Sequence, residues 1–164
     1  MSTATINQAV NKLTDHVSLP GAENKFSTYK AVICIATDKE SLEGSTKLLE
    51  HLQDIIENKL PVTDEDFVEE DVKDNLENIN ENLQKVDSLL QFVNKAFKEG
   101  PEVEIDDDTT LELLSNMEQV QKKLLYISDY LNLVLEVQKA KKEIQEGNFK
   151  EFSLDEVLKL INAA

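Results

Sequence analysis

Apolar residues recur along this chain with a spacing that reports helices before any other property is weighed. The series Val72, Leu76, Ile79, Leu83, Val86, Leu90, Val93 and Phe97 advances by alternating steps of four and three residues. Nearly everything between those positions is charged or an amide, which is the heptad pattern of a helix packed on another helix. A second series repeats the steps at Leu113, Met117, Val120, Leu124, Ile127, Leu131 and Val134. Gly100-Pro101 separates the two, so together they predict an antiparallel helical hairpin. In heptad terms Leu76, Leu83, Leu90 and Phe97 take position a, and Val72, Ile79, Val86 and Val93 take d. Leucine at a with β-branched residues at d points to a bundle of more than two helices. Leu114 and Leu135 widen the second stripe and call for further helices against it.

The flanking segments supply them. Ile6, Ala9, Val10, Leu13 and Val17 fit a short amphipathic helix that ends at Leu19-Pro20-Gly21. Residues 26–37 suit a strand or a helix. No second strand exists to pair with it, and an isolated strand leaves its backbone groups unpaired, so a helix is expected. Asp38 to Gly44 predicts a break, making 26–44 one kinked helix or two. Helicity resumes through Leu42, Leu48, Leu49, Leu52, Ile55 and Ile56 and stops before Pro61.

Thr63, followed by Asp64, Glu65 and Asp66, is expected to open the main seam helix, because carboxylates complement the positive end of the helix dipole. That helix should run to about Glu99. Thr109 or Thr110 caps the next, which continues to about Glu146 and stops at Gly147, behind Lys139, Lys141 and Lys142. Gln138 and Lys141 fall in phase with its stripe, so its last turns should project beyond the core. Ser153-Leu154-Asp155-Glu156 is a capping box ahead of Val157, Leu158 and Ile161. The expected fold is all-α: an elongated antiparallel helical bundle of three long helices with short N- and C-terminal ones. Residues 1–147 form the bundle, and 148–164 form a short helix that is either docked or a partner-binding arm.

Charge narrows the function. Acids number 33 and bases 17, every base is lysine, and the net charge is −16. Without arginine the planar fork that grips phosphate is missing, and the acidic surface repels both nucleic acid and anionic lipid. Solubility, or attraction to a basic partner, is what such a charge supports. A single cysteine, Cys34, excludes an intrachain disulfide framework. No apolar run approaches the ~20 residues of a membrane span, and no leader pattern opens the chain. The expectation is a cytoplasmic protein.

Motifs that carry chemistry are missing. His16 and His51 sit in neither Glu-x-x-His nor His-x-x-x-His, so no metal-binding bundle is signalled. Cys34 has no basic neighbour to activate it and reads as a small buried hydrophobe. Asp106-Asp107-Asp108 lacks the alternation and the glycine of a calcium loop, and with the acidic run 64–71 it reads as solvated, dipole-complementing surface. No glycine-rich phosphate loop occurs. The expectation is a non-enzyme with no cofactor and no metal.

The tail carries the one resemblance. From Ile144 the chain reads through Gly147 and Phe149 to Phe152, then Ser153-Leu-Asp-Glu156-Val157-Leu158-Lys-Leu160-Ile161. A charged helix end, a glycine, a short extended piece and a Ser-capped Glu-Val-Leu helix resemble the toxin-binding C-termini of bacterial type II antitoxins. The resemblance implies that Phe149, Phe152, Leu154, Val157, Leu158 and Ile161 dock on a basic ribonuclease-type toxin. The same residues also read as a terminal helix folding back to close the bundle. Function is therefore expected to be non-catalytic protein–protein contact, in an antitoxin-like or immunity-like neutraliser of a basic protein. The alternatives are a structural coiled-coil module that self-associates through its heptad seams and an acidic decoy of nucleic acid.

Overall fold

A computed structural model describes residues 3–14, 39–99 and 108–163. Their helices are α1 (Thr3–Thr14), α2 (Lys39–Asn58), α3 (Glu69–Glu99), α4 (Asp108–Gln145) and α5 (Leu154–Asn162), with a 3₁₀ turn at Asp64–Asp66. The protein is an all-α helical bundle, with no strand among the described residues.

The side chains that cross between helices fix the directions. Ser128 Oγ donates to Asn80 Oδ1 at 2.7 Å, and Gln121 Nε2 donates to Asp87 Oδ1. Residue numbers fall on α3 as they rise on α4, so these two form the expected antiparallel hairpin. On the other flank of α4, Asn116 Nδ2 donates to Ser45 Oγ at 3.0 Å and Lys123 Nζ to Gln53 Oε1 at 2.8 Å. Both series rise together, so α2 and α4 are parallel. Asn82 Nδ2 donates to Asn7 Oδ1 at 2.9 Å and Lys85 Nζ to Asn11 Oδ1 at 3.0 Å, which sets α1 parallel to α3. The principal contacts are α3 with α4, α2 with α4, α1 with α3, and α1 with α2. Connector 59–68 therefore links two consecutive helices, α2 and α3, that are not principal neighbours.

The core lies where the second stripe was expected. Leu113, Met117, Val120, Leu124, Ile127 and Leu131 are all buried, and Val134 is half-buried at its end. On α3 the expected seam splits. The d residues Val72, Ile79, Val86 and Val93 are buried with Leu90, whereas Leu76 and Leu83 are only half-buried. Asn82 and Leu89, one position earlier in the heptad, take the inward place instead. The helix is rotated because it serves two neighbours, α4 and α1. Its contact with α1 includes the amides of Asn7, Asn78 and Asn82 beside the buried Ile6 and Val10, and an apolar stripe is blind to amides.

Element ends also depart from expectation. Thr63 does not cap the main helix. It precedes the 3₁₀ turn, where its Oγ1 donates to Asp66 Oδ2 at 2.8 Å, and α3 begins only at Glu69. The connector is held to α4 instead: Tyr130 Oη donates to the Pro61 carbonyl at 2.8 Å, and Lys141 Nζ meets Asp64 Oδ1 at 2.6 Å. Gly44 does not interrupt α2, which runs unbroken across it. Asp108 starts α4 just ahead of the expected threonine caps. The expectations for Val17 to Gly21, 26–37, His16, Cys34, Gly100-Pro101 and Asp106-Asp107 fall outside the described residues.

Candidate functional site

At ~1.5 Å per residue, α4 is about 57 Å long and α3 about 46 Å. Asn80 stands level with Ser128, so Glu69, where α3 begins, is level with residue 139. Every residue of α4 from Lys139 onward is exposed, as is everything that follows it to Ala163. The last turns of α4 thus extend past the bundle, as the fading stripe led one to expect.

Gly147 ends α4 with a positive φ of 76°. The Asn148 amide donates to the Glu143 carbonyl at 2.8 Å and the Gly147 amide to the Ile144 carbonyl at 3.1 Å. These are the paired bonds of a Schellman stop, whose left-handed position favours glycine. Residues 148–153 have no regular structure, and Lys150 Nζ sits 4.8 Å over the Phe152 ring. The expected capping box is present on α5. The Glu156 amide donates to Ser153 Oγ at 3.3 Å, and the Ser153 amide donates to Glu156 Oε2 at 2.8 Å.

All six singled-out tail residues are exposed, from Val157 at 38% to Leu154 at 74%. Leu154, Val157, Leu158 and Ile161 share one helix face by their i, i+3, i+4, i+7 spacing, and Phe149 and Phe152 precede it. A capped helix presenting an apolar face to water is suited to docking on another surface.

A second surface was missed from the sequence. Beyond Tyr126 the outer side of α4 carries Tyr130, Leu133, Val137, Ala140 and Ile144, spaced four, three, four, three, four. Each lies one residue before the inner phase, and one residue rotates a position by about 100°. Tyr126, Leu133, Val137 and Ile144 are 43–58% exposed. The signal was available: the apolar phase does not end after Val134 but continues on a different face. Beside this strip, Val62 of the connector is almost fully exposed, and a cleft of about 180 Å³ lies between Val62, Tyr130, Leu133 and Val137.

Other sites offer less. A pocket of about 110 Å³ lined by Ile6, Ile55, Val72, Ile79 and Leu131 is well below the size of ordinary ligand sites. A groove of about 800 Å³ beside the α4 tip is lined by Lys73, Lys139 and Lys142 but also Asp64, Glu69 and Glu146, so its charge is mixed. His51 Nε2 is shut off from solvent and has no hydrogen-bond partner among the described residues. Burial, then nearby Lys59, holds its pKa below the usual 6.5, with Asp54 opposing. Among the described residues no three His, Cys, Asp or Glu side chains gather to hold a metal, and no helix is long and apolar enough to cross a membrane.

Charge is unevenly divided. Residues 138–164 hold five lysines and five acids, so the whole −16 belongs to residues 1–137. Compared with protein-family models, curated proteins and solved structures, the chain matches none.

Proposed function

We propose that this protein is a non-catalytic binding module that captures a basic protein with its C-terminal arm, in the manner of an antitoxin or an immunity protein. One observation carries the reading: a pre-capped helix holds its apolar face clear of the bundle core. The charge division adds a mechanism. A bundle with fifteen excess negative charges attracts a basic partner over distance, while the arm, with a net charge of only −1, supplies apolar contact on arrival. The bundle field sets the association rate and the arm sets the residence time.

Deleting 148–164 tests this. Against a panel of small basic ribonuclease-type toxins, the intact chain should capture a member that the shortened chain does not. Raising salt should slow association and leave dissociation nearly unchanged, since screening reaches only about 8 Å at physiological ionic strength. Equal capture by the two chains would refute the reading. The exposed strip on α4 favours a second reading, a module that associates with further helices through leftover heptad surface.

A further inference from the structure

We propose that the outer face of α4 is a docking strip for a basic amphipathic helix of a partner protein. The inference rests on the reading of the protein as a binder of basic proteins, and it assigns a second contact surface, separate from the arm.

The spacing argues for a helix as the occupant. Tyr126, Tyr130, Leu133, Val137, Ala140 and Ile144 keep the alternating four-and-three steps across nineteen residues. A strip that follows a heptad for about 27 Å matches a partner helix wound along it. A strand or loop would not need that period. The inner stripe supplies the buried α4 residues of the core, and of the outer strip only Tyr130 packs against it, which leaves Tyr126, Leu133, Val137 and Ile144 facing outward.

Charge selects which helix. Asp129, Glu136 and Glu143 recur at seven-residue intervals along one edge of the strip, and all three are exposed. In heptad terms they occupy g positions, whose charges choose the partner. Across the strip the opposite edge offers Lys141, already held by Asp64, and the apolar connector at Val62. A helix with lysine or arginine beside its apolar stripe would meet the acidic row while its aliphatic side chains enter the cleft by Val62.

The same charges argue against a second copy of α4, or helix α5, as the occupant. A second copy of α4 laid antiparallel would bring one acidic row against the other. Laid parallel, it would offer only Lys141. Helix α5 carries Asp155 and Glu156 in its first turn and a single lysine, Lys159.

The test uses the full chain and three synthetic peptides of about 28 residues: a heptad peptide with leucine at a and d and lysine at e and g, the same peptide with glutamate for lysine, and a scrambled lysine peptide. Binding is followed by fluorescence anisotropy. The lysine heptad peptide should bind, and the other two should bind at least about tenfold more weakly. Leu133→Asp with Val137→Asp should abolish binding. Replacing Asp129, Glu136 and Glu143 together by glutamine should weaken it about tenfold and flatten its salt dependence. Val157→Asp with Leu158→Asp, on the arm, should leave peptide binding intact while abolishing toxin capture, which separates this proposal from the arm reading. Peptide binding that survives the strip substitutions, binding lost with the arm substitutions, equal binding of the glutamate peptide, or a chain that sediments as a dimer through the strip would each overturn it.

Discussion

Leu124 and Leu83 look alike in the sequence, each an a-position leucine in an unbroken stripe, and the structure separates them. Leu124 is fully buried in the core, whereas Leu83 lies at its edge. Leu124→Ala should therefore cost about 2–5 kcal/mol and Leu83→Ala less than half as much, read from urea unfolding midpoints. Equal losses would mean that α3 is turned as its heptad alone suggests. Polar residues set the register beside these leucines. Asn82 is wholly buried and donates to Asn7, which in turn donates to Asn78 Oδ1 at 3.0 Å. Asn82 Oδ1 has no partner among the described residues, but the two donated bonds form in one alignment of α1 on α3 and are broken by a slip, which is how a buried amide fixes a helix register.

His51 adds a pH dependence at the same scale. Its folded pKa lies below the unfolded 6.5, so the unfolded chain binds its proton more readily. Stability is full above 6.5 and falls as pH drops through the folded value. The urea midpoint should decline as pH falls below the usual 6.5, and His51→Gln should remove that decline. Asp54, Asp64 and Glu69 act in a separate, more acidic window. Hydrogen bonds from Asn58 and Lys59, from Lys141 and Gln138, and from Lys73 lower their pKa values from 3.8, 3.8 and 4.5. Their stabilisation is lost as pH falls below those values.

At the scale of elements, two glycines make opposite predictions. Gly44 lies inside α2, and a Cβ there meets nothing within 4 Å. Gly44→Ala should stabilise the bundle by about 0.5–1 kcal/mol. Gly147 also has open space around it, but its φ of 76° penalises any side chain. Gly147→Ala should loosen the α4 stop at a cost of about 1–2 kcal/mol to that local structure, visible as faster amide exchange at Gly147 and Asn148. The reverse pattern would contradict the two backbone assignments.

The second stripe, the Gly147 stop and the Ser153–Glu156 box were legible because each rests on local spacing or a local hydrogen bond. Less legible was whatever depends on a distant partner. Thr63 and its three acids look like a helix start, yet Asp64 is taken up by Lys141, far along the chain, and the helix waits until Glu69. The rotation of α3 depends on Asn7, and the parallel pairing of α2 with α4 on Ser45 and Asn116. No period in the sequence encodes those meetings. The tail residues could be named from the sequence, but their exposure could not, since a docked helix and a free one share the same amphipathic pattern. The outer strip was overlooked because a stripe that loses phase looks the same as one that ends.

Taken whole, the molecule divides labour along its length. Residues 1–137 carry the core and all of the net charge, and the projecting end of α4 with α5 carries exposed apolar surface at net charge zero. On the proposed function, folding and contact with a partner are separable, because the residues assigned to contact add little to the core. The most direct test compares the thermal unfolding of the full chain with that of a chain ending at Gly147, at high dilution so that copies do not meet. The two should melt within about 2 °C, with helicity reduced only by the nine residues of α5. A fall of more than about 4 °C, equivalent to over 1 kcal/mol for a protein of this size, would place α5 in the core and remove the arm from the account.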